Sequence, residues 1–276
     1  MISVVVSCKK LEGDNMIKVE DLQVSYYGKM AISNVNFKFE DGVLVGIVGP
    51  NGAGKSTMIK AILGLISKDK GKIIIDGKSI KDKRKDVAYV PQRSSLDWDF
   101  PINVFDTVLM GTYPSLGMFK KPKAKEKELA KESLERMNMI DYAERQISEL
   151  SGGQQQRVFI ARALAQKADI FFLDEPFVGI DAASEREIVD MLRKLKNEGK
   201  IIFVVNHDLS KIESYFDDLI LINKDLFKVG KVEDVFTYEN ITEVYETDFG
   251  FSMMSGKKSK DKKDEENEIG DKGGRS

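Results

Sequence analysis

The run GVLVGIVGPNGAGKST, residues 42–57, constrains the fold of this 276-residue chain more than any other stretch. Its first half is continuous and apolar, as a strand buried on both faces is. It passes directly into GPNGAGKS, Gly49 to Ser56, which fits the spacing G-x-x-x-x-G-K-[ST]. MIKAILGLI follows with helical apolar spacing. Strand, glycine loop and helix in that order build a phosphate cradle. Glycines let backbone N–H groups point at phosphate oxygens without a Cβ clash, and the helix N-terminus adds a positive dipole. The cradle comprises Gly49, Pro50, Asn51, Gly52, Ala53, Gly54, Lys55, Ser56 and Thr57. Lys55 reaches the β and γ phosphates of a nucleotide, and Ser56 offers its hydroxyl to Mg²⁺.

Around this unit the pattern is regular. IKVEDLQVSYY and AISNVNFKF read as strands, the second alternating as a half-buried antiparallel strand does. GKIIIDG and DVAYVPQ are short strands. From about Val104 to Leu150 the chain reads as mostly helical. KPKAKEKELAKESLERMNM is rich in helix formers, with Leu129, Leu134 and Met137 as sparse apolar positions, so its basic start is a solvated helix face. ADIFFLDEP is a buried strand, ASEREIVDMLRKLKNEG a helix closed by Gly199, and KIIFVVNHD another buried strand. Strands alternating with helices predict an α/β fold with a mainly parallel sheet covered on both faces.

The formal charge of −2 is nearly balanced, which argues against a basic nucleic-acid surface or a polybasic membrane anchor. One cysteine, Cys8, excludes an internal disulfide. One Cys with one His cannot form a soft-ligand zinc or copper site, so any metal is a hard cation held by oxygen. No apolar run approaches the ~18 residues of a membrane span. MISVVVSCKK lacks the basic leader of a lipoprotein signal. MIKVEDL at Met16 resembles a natural beginning, leaving residues 1–15 as an extension or a mis-called start. Residues 255–276, dense in charge of both signs, are expected to be disordered.

Three further motifs carry chemistry. IFFLDE ends a buried strand in Asp174, on the edge of a parallel sheet that faces ligand, where it can hold Mg²⁺. Glu175, next in the chain, can polarise water. LSGGQQQR, Leu150 to Arg157, reads as a Ser151 cap followed by exposed backbone, a second helix start suited to an anion. A nucleotide needs one glycine loop, so the second serves a facing copy of the protein. The lone histidine, His207 in VVNHDL, is on its own more readily a structural residue than a catalytic one.

Glycine loop, LSGGQ, FFLDEP and histidine, in that order, resemble the ATP-binding cassette (ABC) ATPase family over about Ile17 to Val235. The resemblance implies a P-loop fold with an N-terminal antiparallel β subdomain, a helical subdomain inserted at about 96–150, and an ABC ATPase domain spanning 16–254. It implies that ATP with Mg²⁺ is sandwiched between two copies. By the family pattern, Tyr26 stacks on adenine, with Tyr27 the alternative. Gln92 senses Mg²⁺ and the attacking water. Ser151, Gly152, Gly153 and Gln154 contact the γ-phosphate held by the other subunit, and Asp181 lies at the dimer interface. Glu175 is the implied general base, and His207 bonds the γ-phosphate and holds Glu175 and water in place.

The run PQRSSLDWDFPINVFDTVLMGTY, with DEPFVGIDAASE, resembles the cassette subunits of manganese, zinc and iron(II) importers. That branch implies a separate membrane permease docking near Trp98 and the helical subdomain, an extracytoplasmic metal-binding protein upstream, and a peripheral position on the cytoplasmic face of the membrane. GTY stands where a basic residue is common, and VNHD where a second histidine is. The alternatives are an exporter's cassette, a cassette for another cargo, or an ABC ATPase of nucleic acid or ribosomes. Which metal is carried is not legible in this chain.

Overall fold

The computed structural model describes residues 15–98, 100–116 and 120–245. The expected extension, apart from Asn15, and the charged tail lie outside them.

Among the described residues, ten strands form a single sheet. In chain order they are β1 Met16–Tyr26, β2 Lys29–Glu40, β3 Val43–Val48, β4 Lys70–Ile75, β5 Lys78–Ser79, β6 Val87–Val90, β7 Ile170–Leu173, β8 Ile201–Val205, β9 Asp218–Asn223 and β10 Asp225–Lys231. Their order across the sheet is β5-β4-β1-β2-β10-β9-β3-β8-β7-β6. The block β9-β3-β8-β7-β6 is parallel throughout. β1, β2, β4 and β5 pair antiparallel, and β10 runs antiparallel to β9. The two halves meet where Asp225 pairs with Ser33.

The apolar strands are buried on both faces, and period 2 divides their side chains between two cores. Val43, Val45 and Ile47 of β3, Ile170 and Phe172 of β7, and Ile201, Phe203 and Val205 of β8 enter one core with the antiparallel strands. Leu44, Val48, Phe171, Leu173, Ile202 and Val204 enter the other. In the first, Phe172 and Phe203 stack with centroids 4.6 Å apart, and Phe37 and Phe39 close over Phe203. Each such ring removes on the order of 150–250 Å² from water, so this cluster ties the antiparallel half to the parallel one.

Helices cover both faces. The α-helices of six or more residues, among the described residues, are α1 Lys55–Ile62, α2 Val104–Leu109, α3 Ala124–Arg136, α4 Gly152–Ala165, α5 Ala182–Asn197 and α6 Tyr238–Tyr245. α1 lies in the core beside the antiparallel strands through Met58, Ile59 and Ile62. α2, α3 and α4 pack on one another between β6 and β7 and enter the opposite core with α5. Because β3, β6, β7, β8 and β9 run the same way, their carboxyl ends open on one edge of the sheet, the edge where such folds place ligands.

Candidate functional site

The glycine loop leaves β3 on that edge. Gly54 sits at φ +94° as the residue before α1, and a Cβ there would lie 2.2 Å from Ile32 Cγ2, so backbone conformation and close packing both demand glycine. Lys55 opens the helix and is 6% exposed. Its Nζ donates to the carbonyls of Gly49 at 2.7 Å and Pro50 at 2.8 Å, so the loop's own oxygens hold the ammonium that sequence alone directs at phosphate. Burial lowers the Lys55 pKa, and the carboxylates of Glu175 and Asp174 oppose that shift.

Asp174 follows β7 and is 4% exposed. Ser56 Oγ donates to its Oδ1 at 3.3 Å, and Tyr89 Oη donates to its Oδ2 at 3.3 Å. Burial pushes the Asp174 carboxyl above the usual range; the two hydroxyls pull it back, while the charge of Glu175 adds to the rise. Burial and the charge of Asp174 push the Tyr89 hydroxyl up in turn. Glu175 adopts φ +53°, a left-handed conformation unusual for a long side chain. That turn aims its carboxylate between two donors: Gln92 Nε2 bonds Oε2 and His207 Nε2 bonds Oε1. A carboxylate only accepts, so this bond requires the proton of His207 to sit on Nε2. Gln92 follows β6 and His207 follows β8, the neighbours of β7 on either side, so adjacent strand ends converge on Glu175.

A cleft of about 360 Å³ opens over the loop, lined by Asn51 to Thr57, Glu175, His207, Tyr26, Met30, Ala31 and Lys224. Tyr26 lines it and Tyr27, fully exposed, does not, which separates the two candidates by position. Ser151, Gly152, Gly153 and Gln154 do not line this cleft. They start α4 as a capping box: Gln154 N donates to Ser151 Oγ at 3.4 Å and Ser151 N donates to Gln154 Oε1 at 2.9 Å. Asp181 caps α5, accepting from Ala183 N at 3.0 Å and Ser184 N at 2.9 Å. The bonds from Ser184 hold its carboxyl below the usual range.

Sequence reasoning passed over Tyr89, Lys224 and Arg93. Tyr89 reads as one more apolar strand residue, and Lys224 lies in a run where no turn is marked. Arg93 follows Gln92. Its Nε donates to Gln155 Oε1 at 2.9 Å, and its guanidinium lies 5.4 Å from the Trp98 ring centroid. The adjacency of Arg93 to Gln92 is the one signal that could have found it.

Residues 32–178 match the protein family described as ABC transporter. The manganese transport system ATP-binding protein of Listeria innocua is 55% identical over 229 residues, covering 83% of this chain and 95% of the relative. The zinc transport system ATP-binding protein of Treponema pallidum is 49% identical over 229 residues, covering 83% and 86%. Among solved structures, a dimeric bacterial ABC transporter cassette is 28% identical with a TM-score of 0.68, covering 78% of this chain and 98% of that one. A phosphate loop, a buried strand ending in paired carboxylates and a capped second glycine turn, in a chain this close to transport ATPases, admit one conclusion: the chain belongs to the ABC transporter family, as one of its ATP-binding cassettes.

Proposed function

We propose that this cassette is the ATP-hydrolysing subunit of an importer for a divalent transition metal, manganese, zinc or iron(II). It acts as a facing pair on the cytoplasmic side of the membrane beneath a separate permease. One observation carries the cargo: about half of the residues are identical, over most of both chains, to relatives named for manganese and for zinc transport. In this reading the cargo is chosen in the permease and an extracytoplasmic binding protein. Among the described residues, no helix is long and apolar enough to cross a membrane.

The residues fit Mg²⁺ as a resident ion. Ser56 and Asp174 present hard oxygens to one point, and Gln92 extends a side-chain amide to the carboxylate of Glu175, next in the chain. Asp174 is buried with hydroxyls, not an ammonium, as its hydrogen-bond partners. When bound, Mg²⁺ neutralises charge on the phosphate oxygens. The chain's own groups do the rest. Lys55 exchanges the carbonyls of Gly49 and Pro50 for β and γ phosphate oxygens. Tyr26 stacks on adenine at the far end of the cleft. Glu175, fixed by Gln92, takes the proton of the attacking water as general base, and His207 turns its Nε2–H from Glu175 Oε1 to the γ-phosphate. Ser151 to Gln154 of the facing copy close the site, with Asp181 at the interface. Trp98 packs edge-on to Phe159, and Phe100, Met110 and Tyr113 follow it in the chain. These three are 59%, 46% and 51% exposed, which supports a docking surface for the permease.

The test is Lys55→Ala as the sole copy in cells under metal limitation. Purified protein is expected to lose ATPase activity, and whole-cell content of one of manganese, zinc or iron to fall. Retained hydrolysis would remove the loop from catalysis. Lost hydrolysis with unchanged metals would leave an ABC ATPase serving another cargo.

A further inference from the structure

We propose that Lys224 is a nucleotide-binding residue whose ammonium meets the sugar–phosphate stretch between the base and the terminal phosphate. The proposal rests on the reading that the cleft takes ATP. Lys224 is the single residue between β9 and β10. Across the sheet, β2 precedes β10 and β9, then come β3, β8 and β7. The β9–β10 turn therefore lies between the β1–β2 turn, which carries Tyr26, and the phosphate loop after β3. His207 and Glu175 follow β8 and β7 on the loop's other side. A nucleotide with its base at Tyr26 and its terminal phosphate at Glu175 has to cross the ground that Lys224 borders, and Lys224 lines that cleft.

The turn is fixed on three sides. Lys224 N donates to Ala53 O in the phosphate loop at 2.9 Å, Lys224 O accepts from Ser33 N at 2.9 Å, and Asn223 Nδ2 donates to Val244 O at 3.0 Å. The side chain thus starts from a point held against the loop itself. Its φ of +64° is one that glycine or asparagine adopts with less strain, so turn geometry does not call for a long basic residue. Among the described residues no hydrogen bond or ion pair engages its ammonium. The neighbouring carboxylate of Asp225 takes the Ser33 hydroxyl instead. The cleft's other cation, Lys55, is held by loop carbonyls. An unpaired cation on a rigid turn beside a phosphate loop suits an anionic ligand. A contact short of the γ-phosphate holds substrate and product alike, so it acts on KM rather than kcat.

Lys224→Asn tests the charge while keeping a residue that tolerates the left-handed turn, and Lys224→Arg restores the charge. The full chain is titrated calorimetrically with ADP and with a non-hydrolysable ATP analogue, with wild type and Lys55→Ala alongside. Lys224→Asn is expected to weaken both nucleotides by about three- to tenfold, as loss of a charge-assisted contact does, to raise the KM for ATP by a similar factor with kcat within about twofold, and to be rescued by Lys224→Arg. Unchanged affinity for both overturns the proposal. Loss for the ATP analogue alone overturns it too, by moving the ammonium to the terminal phosphate. Equal losses in the Asn and Arg variants overturn it by tracing the effect to the turn. If Lys55→Ala binds like wild type, or wild type binds neither nucleotide, the cleft reading itself has failed; the proposal alone fails if those controls behave and Lys224→Asn matches wild type.

Discussion

Asp174 is 4% exposed, with two hydroxyls as its partners, and burial raises its carboxyl above the ordinary value. A raised acid binds its proton more tightly in the folded chain than in the unfolded one. Its ionisation therefore costs stability that is absent below the unfolded pKa, near 3.9, and grows as pH rises toward the folded value. Asp174→Asn should raise the melting temperature of the nucleotide-free protein at pH 7 while abolishing ATPase activity. The gain should vanish near pH 3.5, which melting curves across pH will check. Tyr89→Phe carries the opposite sign. It strips Oδ2 of its donor and leaves a buried acceptor unsatisfied, a loss of about 1–3 kcal/mol, visible as a lower melting temperature. The two residues also differ in how far sequence exposed them. Asp174 and Glu175 stand out because charge follows an apolar strand. Tyr89 does not, because within β6 its ring satisfies the same apolar pattern as its neighbours and only the fold brings its hydroxyl to Asp174.

At the scale of elements, the starts of α4 and α5 are packed so closely that each constrains the other. A Cβ on Gly153 would lie 2.4 Å from Ser184 Cβ in the first turn of α5. Gly153→Ala should therefore destabilise by about 1–3 kcal/mol as overpacking does, independent of any effect on ATP. Asp181 caps α5, and its depressed carboxyl contributes stability above the unfolded pKa that is lost as pH falls through the lower folded value. Asp181→Asn, which still caps, should melt close to wild type at neutral pH. Asp181→Ala should melt lower. If both lose ATPase activity equally while only the alanine variant loses stability, the residue serves an interface as well as the helix. Strands and capped helices were the legible part of the fold, since unbroken apolar runs mark β3, β7 and β8 and a period of 3.6 marks α5. The segment from Val104 to Leu150 was less so. Its helical composition hides a six-residue α2 that passes into a 3₁₀ turn over Met110–Ser115. Pro114 lies in that turn, and Gly111 packs where a Cβ would meet the Arg162 carbonyl at 2.0 Å. The β9–β10 turn was missed because Asn-Lys-Asp carries no glycine to mark it.

For the whole molecule, the decisive fact is that the LSGGQ turn does not line its own chain's cleft, although both it and the loop are glycine-bearing helix starts. Sequence could count two such starts but could not place them, because their separation depends on how α2, α3 and α4 pack between β6 and β7. If each nucleotide is shared between two chains, a defective loop and a defective LSGGQ turn must complement each other. Lys55→Ala disables the loop of its own chain and leaves its turn intact. Ser151→Arg does the reverse by placing bulk and charge where the cap meets the facing phosphate. Neither variant alone forms a complete site. Mixed in equal amounts under exchange, half of the pairs are hybrids with one complete site, so ATPase activity should recover to about a quarter of wild type in a symmetric dimer with independent sites. Coupling between sites would lower that fraction without returning it to the sum of the parents. No recovery at any mixing ratio would mean that turn and loop act within one chain. The dimer would then have to be rebuilt around a different closure of α4 onto the cleft.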